Sequence, residues 1–173
     1  MRRNLFMIFC LFLAFVLQST AAKWIAVGSI TPNLIIILVS VFGFTCGSKC
    51  GLVAGFFTGL LWDLFYCDVV GLNALIFMYI GFLNGSFKQI FFKEDIKLPI
   101  VLITASDLMC SIAVYIIRFL LRGRFGFPRY FATIIMPEIL YTVIITMIIY
   151  PLISRVLSAI EDAEIKRSSK VNA

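Results

Sequence analysis

The residues best placed to do chemistry are two carboxylates set inside long apolar stretches. Asp107 lies within Leu98–Leu121, and Glu138 follows Pro137 early in Thr133–Ile153. An ionisable group at membrane depth is costly and is by default a functional candidate. Either residue could face a polar cavity that binds a ligand or a partner's charge. Each could equally be protonated, or satisfied by Ser106, Ser111, Thr142 or an arginine such as Arg118. The other reactive side chains offer less. The 173 residues contain no histidine, the side chain most used for general acid–base work and for binding zinc or iron. Cys10, Cys46, Cys50, Cys67 and Cys110 make an odd set in apolar surroundings, where cysteine behaves as a small hydrophobe. These residue types predict no enzyme, no metal site and no cofactor.

The elements that must carry the two carboxylates follow from composition. The chain is 62% hydrophobic and 14% charged, with a mean hydropathy of +1.06, whereas a soluble domain is about a quarter charged. A bilayer span needs about 20 apolar residues, so the length holds roughly six spans and no sizeable extramembrane domain. The expected fold is an all-α polytopic bundle of six transmembrane helices, at 5–22, 32–45, 50–66, 71–87, 98–121 and 133–153. The single membrane domain is 1–153, and 154–173 is a short cytoplasmic amphipathic helix with an unordered tail from Ser168. Thr31 is expected to cap the second span and Pro32 to occupy its first helical position. The second and third spans are short for a bilayer core of about 30 Å and need a thinned site or covering neighbours. Arg2 and Arg3 before the run Leu5–Leu17 also suit a secretory signal. An uncleaved first helix is the preferred reading, and both leave the next segment starting outside.

Charge orients the bundle. The net +6 reads as a positive-inside bias and not as a nucleic-acid surface. With both termini inside, ten basic residues are inner (Arg2, Arg3, Lys49, Lys88, Lys93, Lys97, Arg155, Lys166, Arg167, Lys170) and five are outer (Lys23, Arg118, Arg122, Arg124, Arg129). The bias leaves the outer patch Arg118, Arg122, Arg124 and Arg129 unexplained. Its arginines either snorkel from the helix ends or form an interfacial segment against lipid phosphates or a partner.

Gly43, Gly47, Gly51, Gly55 and Gly59 recur every four residues, and Gly81 and Gly85 repeat the spacing. Small residues so placed let membrane helices approach backbone to backbone. On one helix such positions drift by only about 40° per step. Gly51, Gly55, Gly59, Gly81 and Gly85 therefore form either an internal packing seam or a seam for a partner.

The segment from Thr31 to Gly85 resembles the rod shape-determining protein MreD family. It carries Thr31-Pro32-Asn33-Leu34, then Gly51-Leu-Val-Ala-Gly55-Phe56-Phe-Thr-Gly59-Leu60-Leu-Trp-Asp63, then Gly71-Leu72-Asn73-Ala74-Leu75 and Gly81, with Pro137 early in the last span. Pro32, Asn33, Asp63, Gly71, Asn73 and Pro137 are the polar or turn positions of that pattern, and Glu138 departs from it. The resemblance implies a multi-pass protein of the bacterial cytoplasmic membrane, without catalytic chemistry. It implies a role in the cell-elongation machinery as a scaffold that docks MreC, acts with MreB, and supports peptidoglycan synthesis by RodA and its transpeptidase. It also implies a fold similar to the substrate-binding subunits of energy-coupling-factor transporters, so a vitamin-type small-molecule binder is the alternative.

Overall fold

The computed structural model describes residues 2–20, 31–67, 69–89, 97–117 and 127–171. Among them every regular element is helical: α1 Arg2–Thr20, α2 Leu34–Cys46, α3 Ser48–Tyr66, α4 Leu72–Ser86, α5 Lys97–Tyr115 and α6 Met136–Val171. A 3-10 turn, Phe87–Gln89, follows α4. A helical turn, Phe127–Tyr130, and a π-helical segment, Phe131–Ile135, lead into α6.

Two helical stretches, Lys97–Tyr115 and Pro128–Ile160, are long and apolar enough to cross a membrane, whereas Phe6–Thr20, Leu34–Cys46 and Leu72–Ser86 are shorter apolar helices. The shortest of these, α2, is the axis of the molecule. Every residue from Ile35 to Phe44 is buried, and α2 packs against each of the other five helices. Its 13 residues rise only about 20 Å. On one side Ile37, Leu38, Val41, Phe42 and Phe44 meet Met7 and Ala14 of α1, Ile103 of α5, and Tyr150 and Leu157 of α6. On the other, Ile35, Ile36 and Val39 meet Ile76, Phe77 and Ile80 of α4 and Cys110 of α5.

Asn33, and not Thr31, caps α2. Its side-chain oxygen accepts from Ile36 N at 3.4 Å, as asparagine at this position commonly does. Pro32 therefore precedes the cap, and its carbonyl accepts from Leu34 N. The chain reverses between α2 and α3 at the single residue Gly47, whose φ of 97° is a left-handed conformation that costs glycine least.

The prolines sit where a missing N–H is tolerated or compensated. Pro99 lies in the first turn of α5, where no intrahelical partner is needed. Pro137 is the second residue of α6, and just before it Met136 N–H reaches back five residues to the carbonyl of Phe131. This π turn takes up the disruption that a proline ring introduces into an α-helical ladder. The helix then continues through Pro151 to Val171. It thus includes Ser168–Val171, read from composition as unordered. Extending a formed helix requires no new nucleus, so weakly apolar residues can follow the amphipathic stretch before them.

Candidate functional site

Three features order the bundle at and below the Asn33 end of α2. The first is a cap on α4. Asp63, in the last turn of α3, is fully buried. Its Oδ2 accepts from Gly71 N at 2.9 Å and Ala74 N at 3.0 Å, and its Oδ1 from Asn73 N at 3.3 Å and Asn73 Nδ2 at 2.7 Å. The first N–H groups of a helix lack intrahelical partners and carry partial positive charge. A carboxylate supplied by the preceding helix satisfies both needs. Gly71, with φ of 104°, turns the backbone so that its N–H joins the set.

The second is the glycine seam, which is internal. A methyl group at Gly51 would fall on the carbonyl of Gly81, at Gly55 on the carbonyl of Phe77, and at Gly59 on the backbone of Ala74. Conversely, one at Gly81 would strike Gly51, and one at Gly85 would strike Ser48. α3 and α4 thus run antiparallel in backbone contact along their whole length. Gly43 of α2 faces Gly81 and Gly85 as well, so three helices converge where side chains are smallest. The seam is closed by this chain's own helices, and these glycine faces are not open to a partner.

The third is a polar centre among α2, α5 and α6. Asp107 and Ser111 stand one turn apart on α5, as do Glu138 and Thr142 on α6, which places each pair on one helix face. Ser111 Oγ donates to Glu138 Oε2 at 3.3 Å, and Asn33 N donates to Thr142 Oγ1 at 3.2 Å. Thr142 and Asn33 are the polar side chains turned toward Asp107. Neither Asp107 oxygen has a hydrogen-bond partner among the described residues, and the residue is 0% exposed. Gln18 of α1 closes one side by accepting from Leu34 N at 3.0 Å.

A family profile described as rod shape-determining protein MreD matches residues 1–160. The chain belongs to the MreD family. No curated protein and no solved structure matches it. Membership makes the chain a rod shape-determining protein of a membrane family with no known enzymatic activity.

The residues that carry the MreD resemblance divide between the first two features and the edge of the third. Asp63, Gly71 and Asn73 build the α4 cap; Gly51, Gly55, Gly59, Gly81 and Gly85 form the α3–α4 seam. Asn33 caps α2 and touches the polar centre, and Pro137 sets the π turn just before Glu138. Ser111 is the partner of Glu138 and not of Asp107. Ser106 instead donates to Leu102 O and accepts from Asn84 Nδ2 at 2.8 Å. Arg118, Arg122 and Arg124 lie outside the described residues, and Arg129 is exposed in the turn before α6.

Some ordering groups escaped the sequence reading. Asn84 links three helices by donating to Ser40 and Ser106 at 2.9 and 2.8 Å. Its position between Gly81 and Gly85 of an MreD helix was the available signal, because a polar residue beside a close-packed seam must find partners there. Cys46 and Cys50 both lie against Met7 Sδ, at 3.3 and 3.6 Å.

Proposed function

We propose that this MreD-family chain is a non-enzymatic, six-span scaffold of the bacterial cytoplasmic membrane, with both termini inside, that docks MreC and supports lateral peptidoglycan synthesis. The match to the family over residues 1–160 carries the reading. Its outer surface supports it. Phe9, Phe12, Phe57, Phe65, Leu140 and Ile148 are among many large apolar side chains exposed to the surroundings, an amount of apolar surface that suits acyl chains and not water. Two helices meet the length and hydropathy of a span by themselves, and α2, the shortest of the apolar helices, is covered by its neighbours.

Because α3 and α4 occupy each other's glycine faces, MreC docks on this reading at an outer helix face or at the basic stretch that ends in Arg129. MreB and the RodA–transpeptidase pair are engaged directly or through MreC. The vitamin-binding alternative rests on the polar centre. Depletion in the native cell tests the proposal: rods that round up at normal vitamin uptake support the scaffold. Auxotrophy with unchanged cell shape would overturn it.

A further inference from the structure

We propose that Cys46, Cys50 and Met7 form a three-sulfur site for one soft monovalent ion of the Cu(I) class, where α1 meets the reversal between α2 and α3. Cys46 is the last residue of α2 and Cys50 the third of α3, on either side of the Gly47 turn. Both thiols converge on one atom of a third helix: Cys46 Sγ lies 3.3 Å and Cys50 Sγ 3.6 Å from Met7 Sδ. Neither cysteine is in a disulfide. Sequence spacing shows only two thiols in apolar surroundings, because the third sulfur comes from α1, 39 residues before Cys46. Thiolate and thioether together make a soft donor set, which selects Cu(I) over hard cations. The Thr45 hydroxyl, 3.5 Å from Cys46 Sγ, donates to the Val41 carbonyl at 2.8 Å, so the convergent donors are sulfur.

Ligand type separates Cu(I) from the commoner thiolate metal. Structural Zn²⁺ sites take four Cys, His or carboxylate ligands, and no group of three His, Cys, Asp or Glu suited to a metal occurs among the described residues. A neutral thioether serves a soft ion instead. Metal–thiolate bonds are about 2.3 Å, so sulfurs around a shared trigonal ion stand about 4 Å apart. The contacts at 3.3 and 3.6 Å need to open by about half an ångström, and the flexible Met7 side chain can follow. The ion takes the place of the two thiol protons between the sulfurs, which makes a separate cavity unnecessary. On binding, two S–H bonds break, two Cu–thiolate bonds and one Cu–thioether bond form, and both protons leave to solvent. Copper enters and remains as Cu(I), so no electron moves, and the site changes from neutral to one negative charge. Cys50 sits in the first turn of α3, where the partial positive charge of a helix N-terminus favours a thiolate, and the exposed Lys49 precedes it. Both cysteines are partly exposed beside this turn, whereas Met7 is buried, so an arriving ion meets the thiols first. The inference goes beyond the scaffold reading and does not depend on MreC docking.

The test titrates the full chain, reduced and anaerobic in lipid nanodiscs, with Cu(I) supplied as its acetonitrile complex against the chelator bicinchoninate. The chain should take one Cu(I) from the chelator, and X-ray absorption should show a shell of three sulfurs without nitrogen or oxygen. Cys46→Ser and Cys50→Ser should each weaken binding by more than about 100-fold, the upper end of what losing an outer-shell partner costs. Met7→Leu, which nearly conserves volume, should melt like the unsubstituted chain without copper, yet bind at least about tenfold more weakly through two sulfurs. Cys10, one turn along α1 and packed against the same core, is the possible fourth ligand, and Cys67 lies at the far end of α3. Cys10→Ser and Cys67→Ser should bind like the unsubstituted chain. Failure to retain Cu(I) against bicinchoninate overturns the proposal, as does a Met7→Leu protein with full affinity and three sulfurs. Loss of binding in Cys10→Ser or Cys67→Ser overturns the assigned ligand set. Zn²⁺ that competes with Cu(I) at parity overturns the soft monovalent assignment.

Discussion

The side-chain amide of Asn73 donates to Asp63 Oδ1 at 2.7 Å, across the turn that joins the end of α3 to the start of α4. With the three backbone N–H groups of Gly71, Asn73 and Ala74 on the same carboxylate, this makes Asp63 the lock of the hairpin. Hydrogen bonds to a charged group contribute about 1.5–3 kcal/mol each, less than additively. Asp63→Asn keeps one acceptor but turns an NH₂ toward donors. It should destabilise the protein by about 2–3 kcal/mol, read as a lower Tm and a reduced yield of folded protein. Equal stability of the two forms would show that the cap is dispensable.

The glycine seam predicts a failure of folding and not of partner binding. A Cβ at Gly55 would meet the Phe77–Met78 backbone, and one at Gly51 the backbone of Gly81. Helix backbone has no rotamer with which to yield, so overpacking of about 1–3 kcal/mol is expected for Gly55→Ala. Gly55→Leu should separate the two helices outright. Protease sensitivity of the isolated protein reports this directly. A Gly55→Leu protein that resists protease and melts normally, yet no longer co-purifies with MreC, would instead place the seam at the partner interface.

Asn84 tests whether the α2–α4–α5 junction depends on polar links as well as on small residues. Its Nδ2 reaches Ser40 and Ser106, and interhelical hydrogen bonds in membranes contribute about 0.6 kcal/mol on average and up to roughly 1.7. Asn84→Ala should therefore lower stability by about 1 kcal/mol. In Ser40→Ala/Ser106→Ala, Asn84→Ala should have a smaller effect, because the same bonds are already gone. Additive losses in that cycle would mean that the Asn84 amide acts through other contacts.

These cases mark what could be read from residues alone. Spacing of four made the seam visible, since Gly51, Gly55 and Gly59 stay on one face whatever the tertiary structure. It could not say whose helix fills the face, because that depends on the one-residue reversal at Gly47 and the cap at Asp63. Likewise Thr31, Pro32 and Asn33 all carry helix-start signals, and only the reach of the Asn33 side chain to Ile36 N selects the third. Asp107 and Glu138 stood out as charges in apolar sequence. Their different fates, one bonded to Ser111 and one bonded to none of the described residues, depend on how α5 and α6 are rotated, and the π turn before Pro137 shifts that register.

The proposed topology has its own test. Six crossings with both termini inside require the α3–α4 turn at Val69–Val70, which is exposed, to face outward and the C-terminal extension of α6 to face the cytosol. Alkaline phosphatase, active only after export, should work when fused after Val70 and stay inactive when fused after Ala173. Green fluorescent protein at Ala173 should fluoresce. The ten-to-five division of basic residues counted from the sequence favours this orientation through the positive-inside bias. It is a bias of short loops near span ends, so adding lysines beside Val70 should reduce phosphatase activity at that fusion. Active phosphatase after Ala173 would require an odd number of crossings, which would overturn the six-span count, or an inverted bundle, which would overturn the inside placement of both termini.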